Sequence, residues 1–176
     1  MGYGSLYARL LGRDFGRLPP ILRAFHAATA GGHAHGFVTI RHAHGRLGRL
    51  MATLAGLPRA GEQVPVELRT EPHGTHERWR RRFRSRWTVS DQWQEDGLLA
   101  ERVGPVVLLQ RLGVIDGRLT FESVGNRLGS WRLPGAGLIR VRAAAWDDGV
   151  DWCMAVHIAT PLGELTTYEG RMQPWP

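Results

Sequence analysis

Beyond residue 60 the chain alternates apolar and polar side chains, a period of two that predicts β-strands with one buried face. Val64, Val66 and Leu68 face one way, and Pro65, Glu67 and Arg69 the other. Short strand-like runs follow at 98–103, 106–114, 119–124, 139–146, 150–159 and 165–172. Turn residues punctuate them at Asp96-Gly97, Gly104-Pro105, Asp116-Gly117, Asp147-Asp148-Gly149 and Pro161-Leu162-Gly163. This spacing predicts an antiparallel meander, and eight or nine such strands in series curl into a barrel or half-barrel. Residues 125–137 read as its one long non-repetitive connection, and Pro72-His73-Gly74 as a turn.

The first third has helical spacing instead. Leu6, Tyr7, Leu10 and Leu11 share a helix face after Ser5, a suitable N-cap, and Gly12 can end the turn. A second helix opens near Pro19-Pro20 and turns Ile21, Leu22 and Phe25 inward. A strand at 37–40 and a third short helix carrying Leu47, Leu50, Met51 and Leu54 complete this part. The expected fold is α+β: a strongly curved antiparallel sheet, barrel or half-barrel, with short N-terminal helices. It forms one domain over 1–176, with a helical cap and one strand in 1–60 and the meander in 61–176.

Residues 77–87 read ERWRRRFRSRW. In one extended strand Arg78, Arg80, Arg82, Arg84 and Arg86 line one face, while Trp79, Phe83 and Trp87 line the other with Arg81 and Ser85 between them. One face packs and the other meets water, anions or a partner.

Composition narrows the partner classes. The net charge of +7 comes from 23 arginines and no lysine. Six of those arginines lie in 77–87; the rest of the chain holds 17 against 15 acids, so the basicity is local. Alternation also separates the arginines from the aromatics, which argues against nucleic acid gripped by both sets. The single cysteine, Cys153, allows no internal disulfide and fits a reducing, cytoplasmic setting. No apolar run approaches the ~20 residues of a membrane span.

Among candidate chemistry, His33, His35, His42 and His44 form two HxH pairs, but the pairs differ in parity and lie far apart on one strand, so solvated histidines are expected rather than a metal site. Glu101, Arg102, Asp151, His157, Glu164, Tyr168 and Glu169 lie on strands and could face a cavity. His157 and Cys153 share the less apolar face of their strand. Gly135-Ala136-Gly137 lacks the context of a dinucleotide fingerprint, and no phosphate loop, GxSxG or HExxH occurs, so no cofactor is expected.

The order of landmarks resembles bacterial domain-of-unknown-function family number 4166. They are SLYARLLGRDFGRLPPILRAFH, Gly56-Leu57-Pro58 before VPVELR, ERWRRRF with FRS, LLAERVGP, DGRLTFESVG and TPLGELTTYEGRMQP. The resemblance implies a protein that stands alone or is attached to an NAD-binding oxidoreductase of the saccharopine-dehydrogenase-like type, and it implies no catalytic residue. Similar sequences place a glycine-containing turn before FRS, which is shortened here around Phe83. They also commonly carry a glutamate where this chain has Ala145-Trp146.

The leading functional expectation is a binding module for a small apolar, lipid-like or acidic ligand, working beside an oxidoreductase. Its candidate wall residues are Trp79, Phe83, Trp87, Leu119, Phe121, Trp152 and Tyr168, with Arg81, Arg102 and Arg142 to receive an acidic head group. The alternatives are a proton-transfer enzyme using a cavity histidine or carboxylate, His157 or Glu101, and a nucleic-acid or partner surface on the arginine strand.

Overall fold

A computed structural model describes residues 4–43, 57–129, 131–132 and 139–175. Its strands in chain order are β1 (His33–His42), β2 (Gly61–His73), β3 (His76–Phe83), β4 (Arg86–Glu95), β5 (Leu98–Val103), β6 (Val106–Ile115), β7 (Arg118–Leu128), β8 (Trp131–Arg132), β9 (Arg140–Asp147), β10 (Trp152–Thr160) and β11 (Gly163–Pro174). Ten of them form a closed antiparallel barrel, and the two-residue β8 pairs with the end of β7 outside the ring. The order is a meander, closed where β1 pairs with β11 from Ala34↔Pro174 to His42↔Thr166.

Local chemistry explains the hairpins. Asp96-Gly97 and Asp116-Gly117 both have positive φ at each residue, the geometry of two-residue I′ turns that match strand twist. Gly104 opens the β5–β6 turn with φ 58°, and Gly74 opens the β2–β3 turn with φ 62°. The β3–β4 turn is Arg84-Ser85, with Arg84 at φ 54°. The arginine run is therefore a hairpin, not one strand. Arg78, Arg80 and Arg82 keep the outward parity expected of them, Arg84 sits in the turn, and Arg86 opens the next strand. The turn resets the count, so Trp87 pairs with Arg82 and faces outward, 44% exposed. β7 continues to Leu128 through residues expected to be irregular.

Two short helices, α1 (Leu6–Leu11) and α2 (Pro20–Ala27), close one mouth of the barrel, joined by a 3₁₀ turn over Gly12–Arg17. Ser5 caps α1 by accepting from the Ala8 amide, and Pro20 starts α2. Leu6, Tyr7, Leu22 and Phe25 enter the core against Val38, Ile40, Leu119 and Met172 from the walls. This mouth is the one ringed by the β2–β3, β4–β5, β6–β7 and β9–β10 turns, because Arg9 of α1 donates to the Thr75 carbonyl in the β2–β3 turn at 3.0 Å. The third helix expected at 47–54, His44, and Gly135-Ala136-Gly137 fall outside the described residues.

Candidate functional site

An eight-stranded barrel is just wide enough for its own side chains, and ten strands leave more room. The interior here keeps a cavity of about 120 Å³. Its wall is mostly apolar: Phe83, Leu119, Phe121, Met154 and Val156 contribute, and β9 presents the small residues Ala143, Ala144 and Ala145. Small side chains on one strand are what keep the centre from filling.

One wall is polar. Arg81 on β3 donates to Ser90 on β4 at 2.8 Å and to Glu101 on β5 at 3.0 Å. Ser90 donates to the same Glu101 oxygen at 2.7 Å, and Gln110 on β6 donates to the other at 3.0 Å. Tyr7 reaches down from α1 and donates to Gln92 at 3.0 Å. The Arg81 and Glu101 side chains are only 22% and 11% exposed. Burial pushes the Glu101 carboxyl up, but Arg81 and hydrogen bonds from Ser90, Gln92 and Arg81 outweigh it and hold the group below its ordinary value. Burial and then Glu101 push the Tyr168 phenol up, against Arg81, which lowers it. The cluster is an ionised, internally compensated pair in an apolar shell.

Aromatic rings floor the cavity beneath the cap. His26 of α2 stacks on Tyr7 with ring centres 3.9 Å apart and lies 5.9 Å from Trp79. Burial alone pushes its imidazole down to about 3, so the ring is neutral. Trp79 donates to Glu77 at 2.8 Å, and burial raises that carboxyl to about 7 against the opposing pull of Trp79 and Arg9. Glu77 borders a separate cleft beneath α1 with Ser5, Arg9 and His76.

Of the ten residues expected to contact a ligand, Trp79, Arg81, Phe83, Leu119, Phe121, Trp152 and Tyr168 border this cavity. Trp87, Arg102 and Arg142 do not. Trp87 lies outside with Arg82 over its ring at 5.4 Å. Arg102, 56% exposed, pairs with Asp91, and Arg142, 80% exposed, approaches Glu122. Both sit at outward positions of β5 and β9, so neither can receive a head group inside. His157 is also outside, 62% exposed near Glu164. His33 and His35 lie at one end of β1 and His42 at the other.

The pairing of the outer arginines bears on the remaining alternative. Arg78 binds Asp91, Arg80 binds Glu71, and Arg69 and Arg82 both bind Glu67, so these guanidinium groups are already engaged.

The cavity residues Tyr7, His26, Gln92 and Gln110, and Ser90 behind Arg81 and Glu101, are not among those expected from the sequence. Gln110 interrupts an apolar run at the inward parity of Leu108 and Leu112, which is the signal that marks it. The cap residues carried no such signal, because helical spacing does not say which barrel mouth a helix enters.

A family model matches residues 18–172. The chain belongs to the family described as Domain of unknown function (DUF4166). The DUF4166 match takes in all of the barrel wall but the last two residues of β11, together with α2 and its His26, and starts after α1 with Tyr7. No curated protein and no solved structure matches the chain. Ala145 borders the cavity and Trp146 faces out beneath Arg118 at 4.5 Å. No helix among the described residues is long and apolar enough to cross a membrane.

Proposed function

We propose that this chain is a binding module that holds one small, largely apolar molecule inside the barrel beneath the helical cap. The reading is carried by the internal cavity of about 120 Å³, apolar on most sides with a fixed polar cluster on one wall. That volume is close to the ~150 Å³ that accepts a benzene-sized guest, so the ligand is about the size of one ring or a short branched chain. A volume of about 120 Å³ is too small to hold a long lipid tail whole. The expected acidic head group loses its support, since Arg102 and Arg142 are outside and Arg81 is neutralised by Glu101.

Purified protein, unfolded and extracted into organic solvent, is expected to release a small compound in near-stoichiometric amount by mass spectrometry. Ala143→Leu fills the cavity without touching the polar cluster and should abolish that yield while the protein stays folded. A folded Ala143→Leu variant that retains the same compound in full would refute the reading.

A second reading, acid–base catalysis, is favoured by Glu77 rather than by His157 or Glu101. Its carboxyl, raised to about 7, exchanges protons near neutrality, and it borders the cleft beneath α1. An accessory role beside an NAD-binding oxidoreductase would be tested by co-purification from the native source.

A further inference from the structure

The two mouths of the barrel differ in charge. The capped mouth is ringed by turns that carry Asp96, Asp116, Asp148 and Asp151 and no arginine. Of the cap's own arginines, Arg17 pairs with Asp14, and Arg9 and Arg23 donate to backbone carbonyls. The opposite mouth is basic. Its described turns, Arg84-Ser85, Gly104-Pro105 and Pro161-Leu162, hold no carboxylate. At the same end Arg59 precedes β2, Arg86 opens β4 and Arg140 opens β9. Arg59, Arg84, Arg86 and Arg140 are all exposed, and none has an acidic partner among the described residues, unlike Arg69, Arg78, Arg80 and Arg82 on the outer wall. The acids of this end are Glu62 and Glu164, each second in its strand, so the balance stays positive.

Large apolar side chains stand out around the same rim. Leu162, at the tip of the β10–β11 turn, is 81% exposed and Trp131 in β8 is 80% exposed, while Leu128 at the end of β7 and Trp87 near the start of β4 are half-exposed. Apolar exposure alone does not single out a face. Ile115 and Val150 are exposed at the capped mouth too, but they stand among its aspartates. At the opposite mouth, following the strand order, arginine and apolar groups alternate: Arg84 and Arg86 with Trp87, then Leu128 and Trp131, then Arg140, then Leu162. A lipid surface suits that ring, because guanidinium groups meet the anionic headgroups while leucine and tryptophan enter the interface between them. Single-stranded nucleic acid would stack its bases on rings and gains little from Leu128 and Leu162. A protein partner calls for apolar groups gathered at the centre of a patch, not spread around a rim.

We propose that this mouth docks the protein on the surface of an anionic lipid bilayer, with Leu162 and Trp131 entering the interface and Arg59, Arg84, Arg86 and Arg140 against the headgroups. The contact is peripheral, made through turns and strand ends, and is independent of whether the cavity holds a guest.

Sedimentation of the full chain with vesicles tests this, one set of phosphatidylcholine alone and one with about one-third phosphatidylserine. The mixed vesicles are expected to bind the chain and the neutral ones to leave it in solution. Each arginine at an anionic surface is worth about fivefold in affinity, so Arg86→Gln combined with Arg140→Gln should bind about 25-fold more weakly. Arg13→Gln combined with Arg111→Gln removes the same charge from exposed positions on the cap and the outer wall, and should stay within about threefold of the parent. Leu162→Gln should weaken binding by about tenfold. All these side chains are exposed, and circular dichroism is expected to show every variant folded. Equal binding to the two kinds of vesicle, binding to neither, or equal losses in the two double variants would overturn the proposal. Retention on DNA that is lost in the Arg86 and Arg140 variant, without any sedimentation on vesicles, would assign the surface to nucleic acid and overturn it as well.

Discussion

Glu77 shows how burial sets the chemistry of a single side chain. It is 7% exposed, accepts from the Trp79 indole, and has a carboxyl raised from 4.5 to about 7. Between those values the unfolded chain has released this proton while the folded chain still holds it. The folded state therefore binds more protons, and stability attributable to Glu77 falls as pH rises from about 4.5 to 7 and is level above. At about 1.4 kcal/mol per pH unit, the full cost above neutrality is on the order of 3 kcal/mol. Glu77→Gln keeps an acceptor for Trp79 and removes the ionisation. Urea unfolding should find the variant more stable than the parent at pH 8 by up to that amount, with the gap closing towards pH 5. A gap that stays constant across this range would mean that Glu77 does not titrate as described. Glu101 is the opposite case: buried equally deeply, it stays ionised because Arg81 and three donors surround it.

The β3–β4 hairpin carries the clearest conflict between local sequence and local geometry. Its first loop residue, Arg84, has φ 54°, a conformation that suits glycine and strains a residue with a Cβ. The corresponding positions of the β2–β3 and β5–β6 turns are Gly74 and Gly104. Arg84→Gly keeps the backbone bond from residue 84 to the Pro65 carbonyl and should raise stability by about 1 kcal/mol, read as a higher urea midpoint at unchanged slope. This turn also marks where reading the chain by alternation stopped working. Parity placed Trp79, Arg81 and Phe83 together on the inner side of β3, because each residue there follows its neighbour by one strand step. Trp87 was misplaced because two residues leave the strand at Arg84-Ser85, and nothing in RSR announces a turn. The Arg81–Glu101 pair was out of reach for a different reason. It depends on β3, β4 and β5 lying side by side in a fixed register, and register is a property of paired strands rather than of either alone. Similarly, a meander was legible from the turns, but closure into a ring was left open between barrel and half-barrel.

Closure is decided at the β1–β11 seam, which joins the N-terminal third of the chain to its last strand and is the one place where the ring does not follow sequence order, apart from the step past β8. Two glycines sit in it. A Cβ on Gly36 would meet the Arg171 carbonyl and the Met172 Cα, and one on Gly170 would meet the Phe37 carbonyl and the Val38 Cα. Both conflicts are with backbone, so the strands themselves would have to part. The contacts at risk surround Val38 and Met172, each about 1% exposed and each bordering the internal cavity. Gly170→Val should therefore destabilise the protein by several kcal/mol, more than an ordinary strand glycine substitution, and do so cooperatively because an opened barrel exposes two long unpaired edges. Gly129, whose Cβ would meet nothing within 4 Å, supplies no equivalent control because its φ of 59° adds strain of its own. Gly125 is the better comparison: it lies in β7, and the nearest atom to its added Cβ is a Leu109 methyl at 3.8 Å. Thermal unfolding should separate the two, with Gly125→Ala within about 1 kcal/mol of the parent and Gly170→Val melting far lower or accumulating as aggregates. Equal stability of the two variants would mean that the seam is not what holds the barrel shut, and the cavity within the barrel would then lose its physical basis.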